Sequence, residues 1–522
     1  MTQHLLHIHI GPMQTFIAAA RRTRDLWFGS WLMSELSKAA ARGIAEEDSS
    51  TQLIFPAHGS DLAAGSELGV SNKIAAIVAD PQSAAQAAKA ALDNRYEALI
   101  AATSLQSKLP DTWPLAEKQL HSFLEFYWVS YPLNGDYANA RQYADALLAA
   151  RKNTRNFQPV NWDGAELQKS SLNGRMETVT PQAPEDEKNK PAQAPKDKKN
   201  KSAQKQYTDM MYEKFRARPG EQLSGVDLLK RLGMVNDNKS RFPSTSHMAA
   251  MPLQAQLQAK ADDPAVKEKW DNYIAALTAI NSKIDKQEVV YRNVKLPVIG
   301  ELDGGLLFQS RLLDFMEKEE TDKPKKALNT FLNSVGISDP NPYYALLVGD
   351  GDGMGKAINE MTTADDHRAF SQKLAEFSEA ARKFVESKDG AVVYAGGDDV
   401  LALLPLNTAV STTAALAQKF RKMMNGLTFS AGIAIVHHLE PLEDVLELAR
   451  RAEKEAKAYQ PEKADGSKSK KNALAIILNK RSGAPRMVVG QWGEIDQRLT
   501  QFATYYGKKE LPRGLAYQLR DM

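Results

Sequence analysis

The sequence predicts an α+β protein. Two ferredoxin-like units, each in the order β-α-β-β-α-β, flank a helical middle region, and a short C-terminal helical segment follows. Three observations lead there. Apolar runs at 5–10 and 343–348 each open the same succession of strand and helix patterns. Residues 150–300 between them are polar and interrupted. The stretch AVVYAGGDDVLALLPL (391–406) sets two glycines and two aspartates between apolar runs, which reads as a tight hairpin.

The elements follow in order. Leu5–Ile10 reads as a buried strand broken by Gly11-Pro12, with Pro12 suited to a first helical turn. From Gln14 to about Ala45 the period is helical, with Leu26, Trp27, Trp31, Leu32 and Leu36 on the apolar side. Strands are expected at Gln52–Phe55 and Asn72–Val78, a helix at Gln82–Ala102 and a strand at Phe123–Tyr131. The segment 177–206 is low in complexity and nearly free of large apolar residues, so it is expected to be a disordered surface loop. In the second unit the expected strands are Tyr343–Val348, Ala391–Tyr394, Val400–Leu404, Thr428–Val436 and Asn472–Leu478. Helices are expected at Ala364–Glu386, Thr412–Met424 and Leu442–Tyr459. The domains then run 1–150, 151–300, 301–485 and 486–522.

Composition narrows the classes. A chain of 522 residues exceeds one ordinary domain, and 43% hydrophobic residues support real cores. A formal charge of +3 argues against a free-standing nucleic-acid coat but leaves room for a local basic groove. The absence of cysteine excludes disulfides and thiolate zinc sites and fits a reducing cytoplasm. The start, MTQHLLHIHIGP, has no signal-peptide pattern, and no apolar run reaches the ~18 residues of a membrane span.

The chemistry centres on acids. Asp350 directly follows a buried strand in LLVGDGDGMGKAI. In the ferredoxin-like order that strand neighbours the one leaving the GGDD hairpin, so Asp350, Asp398 and Asp399 are expected to meet. Three carboxylates make a hard, oxygen-rich site suited to Mg²⁺ or Mn²⁺. Gly396-Gly397 suit a turn with positive φ and let a triphosphate approach the backbone. The upstream segment fails other templates. A phosphate loop would need glycine at 350 and Ser or Thr at 357, where Asp350 and Ala357 stand. A calcium loop would need oxygen ligands where Met354 and Met361 stand.

With these residues in place, the chain resembles the large subunit of type III-B (Cmr) CRISPR effector complexes. The similarity is carried by IGPMQTFIAAARRTRDLWFGSWLMSEL, QKSSLNGRMETV, GVDLLKRLG, FPSTSHMAAMP, LLVGDGDGMGKAI, YAGGDDVLALLP, SAGIAIVHHLEPLEDVLELARRAEKEAK and RSGAPRMVVGQW. It implies two palm domains related to nucleotide cyclases, with ATP as substrate, two divalent ions and cyclic oligoadenylate as product. Synthesis would be switched on when target RNA pairs with guide RNA, in company with other Cmr subunits. On this reading Asp350, Asp398 and Asp399 hold metal, helped by the Gly351 carbonyl, and Gly396 and Gly397 lie at the phosphates. Lys457 contacts the triphosphate, with Lys471 a further candidate. Ser30 lies near a second ATP, and Ser371 or Ser378 near an adenine.

The chain also departs from the family pattern. No HD nuclease domain is expected before the first palm, no zinc is expected, and the C-terminal helical domain is expected to be truncated after 486–522. Two rival readings remain: a non-catalytic scaffold subunit and a diguanylate-cyclase-like enzyme.

Overall fold

The computed structural model describes residues 3–57, 62–66, 68–154, 168–183, 198–218, 220–234, 242–282, 284, 289–290, 294–460, 471–512, 514, 515 and 518. The chain divides into two compact units. One comprises residues 1–240 with 361–372, the other 241–360 with 373–522. This partition differs from the four expected domains, because the middle region is shared between the units rather than standing apart. No helix among the described residues is long and apolar enough to cross a membrane.

The first unit is built on β1 (His4–Gly11), β2 (Gln52–Phe55), β3 (Lys73–Val78) and β4 (Glu125–Pro132) in the order β2-β3-β1-β4. All three pairings are antiparallel. The helices Thr23–Glu47 and Pro81–Ala102 pack on each other, and the helix Tyr137–Asn153 lies against β4 and β1. The second of these starts where the sequence says it should. Pro81 occupies its first turn, and Asp80 caps it by accepting from the Gln82 amide at 2.9 Å.

The long helix expected from Gln14 is instead two, Gln14–Ala18 and Thr23–Glu47. A continuous helix would give the carbonyls of Phe16 and Ala19 to the amides of residues 20 and 23. Here the buried Lys230 ammonium takes both carbonyls, the first at 2.8 Å, and the Ala20 amide turns to Ala18. Lys230 lies more than two hundred positions away in sequence, so local periodicity could not show the break.

Lys230 belongs to the helix Gly225–Leu232, which also delivers Arg231 to a buried ion network of this unit. The Arg231 guanidinium lies 2.8 Å from Asp25 and 2.9 Å from Glu221, with all three side chains nearly inaccessible. Burial alone would push the Glu221 carboxyl up, but Arg22 and Arg231 pull harder and bring it down to about 2. A depressed carboxylate stabilises the fold above its ordinary value near 4.5 and loses that contribution as pH falls toward 2. Acid titration followed by circular dichroism is therefore expected to show a stability loss between these limits, reduced in Glu221→Gln.

The expected disordered loop 177–206 is corrected at both ends. Glu177, Thr178, Val179 and Thr180 are buried. The Val179 amide donates to the Leu223 carbonyl at 2.8 Å, and Gln119 donates to the Glu177 carbonyl at 2.9 Å. The helix Lys198–Phe215 begins inside the expected loop. Residues 184–197 lie outside the described residues. The partners that order 177–180 come from distant segments, which composition cannot reveal.

The second unit carries β5 (Tyr343–Gly351), β6 (Ala391–Gly396), β7 (Asp399–Leu404), β8 (Phe429–His437), β9 (Ala473–Asn479) and β10 (Arg486–Gln491). Their order is β10-β9-β8-β5-β7-β6. Only β8 and β9 pair in parallel, as their connection through the helix Leu442–Ala458 requires. The strand β10 was not among the expected elements. Phe377 packs edge to face on both Phe420 and Phe429 in the core, and these two rings are tilted 44° to each other, with centroids 4.8 to 6.2 Å apart.

The helix Leu442–Ala458 sits on β8 at Gly432. A Cβ there would fall 2.1 Å from the Glu453 nitrogen and 2.5 Å from the Ala449 carbonyl oxygen. Both obstacles are main chain and cannot turn aside. Gly432→Ala is expected to cost about 3 kcal/mol or more, beyond ordinary overpacking, as read from the urea midpoint at unchanged m-value.

Candidate functional site

The sheet register builds the site. Gly349 of β5 pairs with Val400 of β7, so one further rung sets Asp350 opposite Asp399. Gly396 pairs with Asp399 across the hairpin, leaving Gly397 and Asp398 as the turn. Gly397 has φ of 66°, a left-handed conformation in which any side chain is strained. Gly351 is needed for a different reason. A Cβ on it would fall 2.6 Å from the Phe420 ring and 2.9 Å from the Asp398 Cβ. The end of β5 therefore closes on the turn only because Gly351 lacks a side chain.

As a result, one carboxylate oxygen each from Asp350, Asp398 and Asp399 lies within 4.8 Å of the others. Successive residues of a strand point to opposite faces. Asp398 escapes that rule because it belongs to the turn, so both acids of the pair face Asp350. Asp399 is exposed as a residue, yet its carboxyl meets that of Asp350.

Crowding sets the protonation. Burial and the neighbouring Asp350 charge push Asp398 up to about 7. Burial and a hydrogen bond with Asp350 hold Asp399 well above the usual carboxylate range. Asp350 goes the other way. Burial opposes its ionisation, but hydrogen bonds from Asp399 and Lys457 keep it low. The cluster thus holds protons near neutrality that a divalent cation would displace.

Lys457, near the end of the helix Leu442–Ala458, forms an ion pair with Asp350 and another with Glu453 at 2.6 Å. Burial would lower its pKa, but these two carboxylates raise it, so it is a firm cation. Sequence reasoning missed Glu453, although the i,i+4 spacing of Glu453 and Lys457 signals a helix-face pair.

The remaining expected residues fall in several places. Ser378 donates to the Ala395 carbonyl at 2.7 Å and so anchors β6 just ahead of the glycines. Ser371 is buried in the first unit, where it accepts from the Ala57 amide at 2.9 Å. Ser30 is buried in the helix Thr23–Glu47, also in the first unit. Lys471 begins the return to β9 with φ of 69°, and its amide donates to the Tyr459 carbonyl at 3.2 Å. The structure thus brings together Asp350, Asp398, Asp399 and Lys457, with Gly351, Gly396 and Gly397 shaping the backbone around them. His438 is packed within its own unit, 2.7 Å from the Ser246 hydroxyl.

Acids from a strand end and an adjoining hairpin, meeting on a helix-backed sheet, give a palm-like arrangement whose all-oxygen cluster could hold a hard cation. Comparison with known proteins makes the class particular. Residues 343–474 match the family model for the Cas10/Cmr2 second palm domain, and residues 5–125 match that for the CRISPR-associated protein Cmr2 N-terminal region. Two stretches of the chain are thus similar to domains described in the Cas10/Cmr2 family.

The CRISPR system Cmr subunit Cmr2 of Pyrococcus furiosus is 35% identical over 209 residues, which cover 34% of this chain and 23% of that protein. The match thus spans about a quarter of that curated relative. Among solved structures, a chain of the type III-B Cmr-beta complex in the apo state aligns with a TM-score of 0.65 at 15% identity, covering 100% of this chain and 75% of that one. A chain of the Cmr-beta complex bound to cognate target RNA aligns with a TM-score of 0.64 at 14% identity, covering 100% and 76%. At such identities the structural likeness speaks for the fold.

Proposed function

We propose that this chain is the large subunit of a type III-B CRISPR effector complex and converts ATP to cyclic oligoadenylate when target RNA is bound. The observation that carries the reading is the meeting of Asp350, Asp398 and Asp399 beside Lys457, inside the segment that matches the Cas10/Cmr2 second palm. The similarity to Cmr proteins supports other Cmr subunits, guide RNA and target RNA as partners, and a cytoplasmic setting. The strand orders of both sheets support ferredoxin-like palms.

The residues present fit a hard divalent ion. The donor set is all oxygen, and burial together with the neighbouring carboxyls pushes two of its acids, Asp398 and Asp399, upward, as expected where the compensating charge comes from outside. Asp350, Asp398 and Asp399 would hold the ions, with the Gly351 carbonyl beside them. When bound, Mg²⁺ or Mn²⁺ supplies acidification of a ribose 3′-hydroxyl and charge neutralisation for in-line attack on an α-phosphorus.

The chain's own groups do the rest. The positive φ of Gly397 turns the backbone without a side chain, leaving space for phosphate oxygens. Lys457 brings a firm positive charge to the triphosphate and the departing pyrophosphate. Lys471 adds a second amine at the return to β9. Ser378 keeps the hairpin fixed through the Ala395 carbonyl. Ser30 and Ser371 are assigned to nucleotide by resemblance alone.

Lys457→Met removes a charge-assisted contact worth about 1.5–3 kcal/mol. It is expected to lower kcat/KM for ATP roughly 10–100-fold, the matching change in rate. The deciding test of function is turnover of labelled ATP and of GTP with Mn²⁺ or Mg²⁺, with and without guide and target RNA. Cyclic oligoadenylate from ATP supports the proposal. Cyclic diguanylate from GTP would identify a diguanylate cyclase, and no product with full complex assembly would identify a scaffold.

A further inference from the structure

The sequence places a second aspartate, Asp352, two residues after Asp350, and the metal reading leaves it without a task. The structure gives it unusual surroundings. Asp352 is only 5% exposed. One of its oxygens, Oδ2, accepts from the Thr428 hydroxyl at 2.8 Å, the Ser430 hydroxyl at 3.0 Å and the Asn472 amide at 2.9 Å. Its own amide donates to the Thr428 carbonyl at 2.8 Å. Its other oxygen, Oδ1, is buried with no hydrogen-bond partner among the described residues.

These contacts join three separate segments. Ser430 stands opposite Asp350 in the β5–β8 ladder, so Asp352 extends that pairing by side chain where the strand ends. Asn472 follows Lys471, and both hold left-handed φ, 69° and 54°. Two consecutive non-glycine residues keep such a conformation only when the surroundings impose it. Successive amides in turn conformations also form a small concavity that attracts an anion. Here the anion is internal: the Asp352 carboxylate binds the Asn472 amide. The same corner is closed by Trp492, whose indole donates to the Phe429 carbonyl at 2.7 Å and whose amide donates to the Asn472 carbonyl at 3.3 Å.

We propose that Asp352 is a positioning residue for the cation site, acting as the built-in anion that fixes the strained Lys471–Asn472 turn and the end of β5 on which Asp350 stands. The proposal rests on the metal-site reading above and deepens it. Asp352 does not itself meet the ion; it limits the freedom of the backbone that carries Asp350 and Gly351. An aspartate does this better than a neutral residue, because one oxygen must satisfy three donors at once.

The test uses the full chain with three substitutions, Asp352→Ala, Asp352→Asn and Ser430→Ala. Two quantities are measured: amide hydrogen exchange over 427–431 and 471–479, and Mn²⁺ binding by electron paramagnetic resonance. Asp352→Ala is expected to speed exchange in both segments at least tenfold and to weaken Mn²⁺ binding by about tenfold, the lower range for groups that orient a metal ligand. Asp352→Asn, which can still turn an oxygen to the three donors, is expected to recover part of both losses. Ser430→Ala, which removes one donor and keeps the fold, should give a smaller loss of the same kind.

Unchanged exchange in all three variants overturns the proposal. So does faster exchange with Mn²⁺ affinity unchanged, which would make Asp352 structural only. Failure of the wild-type chain itself to bind Mn²⁺ would overturn the metal-site reading, and this inference with it, before any variant is compared.

Discussion

Replacing Asp398 and Asp399 together by alanine is expected to reduce product formation on the order of a thousandfold or more, to below detection in a labelled-ATP assay. The size follows from the several kcal/mol that metal-held charge contributes to phosphoryl-type transition states, at 1.36 kcal/mol per decade of rate. The same variant should fold normally. In the ion-free protein burial and the neighbouring carboxyls disfavour the charged form of both acids. Removing them should leave the thermal midpoint unchanged or slightly higher without metal, and abolish any rise on adding Mn²⁺. Equal product from variant and wild type would remove Asp398 and Asp399 from the chemistry.

The second large effect belongs to stability. Arg231→Ala is expected to destabilise the first unit by about 3–5 kcal/mol, the cost of leaving buried charges without their partner. Asp25 loses the guanidinium it pairs with, Glu221 is left with Arg22 alone, and the Arg216 carbonyl loses a donor at 3.0 Å. Urea denaturation followed by circular dichroism measures the loss. Replacing all three ionic residues with apolar residues of similar volume should cost much less, since desolvation of the network is then no longer required. A single substitution as mild as the triple one would show that water reaches this network.

The sequence made the site more legible than its setting. Asp350, the two glycines and the Asp398–Asp399 pair were readable because strand order and alternation are local patterns. They fix which strand ends meet, and the register then brings the acids together. Lys457 was identified through resemblance, and its partner Glu453 sits one helical turn before it in plain sight. What escaped depends on long-range contacts. The break after Ala18 is made by Lys230, and the order at 177–180 by Leu223 and Gln119. Asp352 escaped for the same reason. Its meaning lies in Thr428, Ser430 and Asn472, which are 76 to 120 positions away. Ser371 and Ser378 show the limit of reading a helix face. The two lie on one helix, yet each hydroxyl is already engaged with a main-chain group.

The bare contact at Gly432 reaches further than packing. Gly432 pairs with Val348, two positions before Asp350, and it touches Glu453, four positions before Lys457. The span between the acid and the amine is thus gauged by one rigid backbone touch, much as a spacer sets the gap of a jaw. A single methyl group at Gly432 would widen that gap.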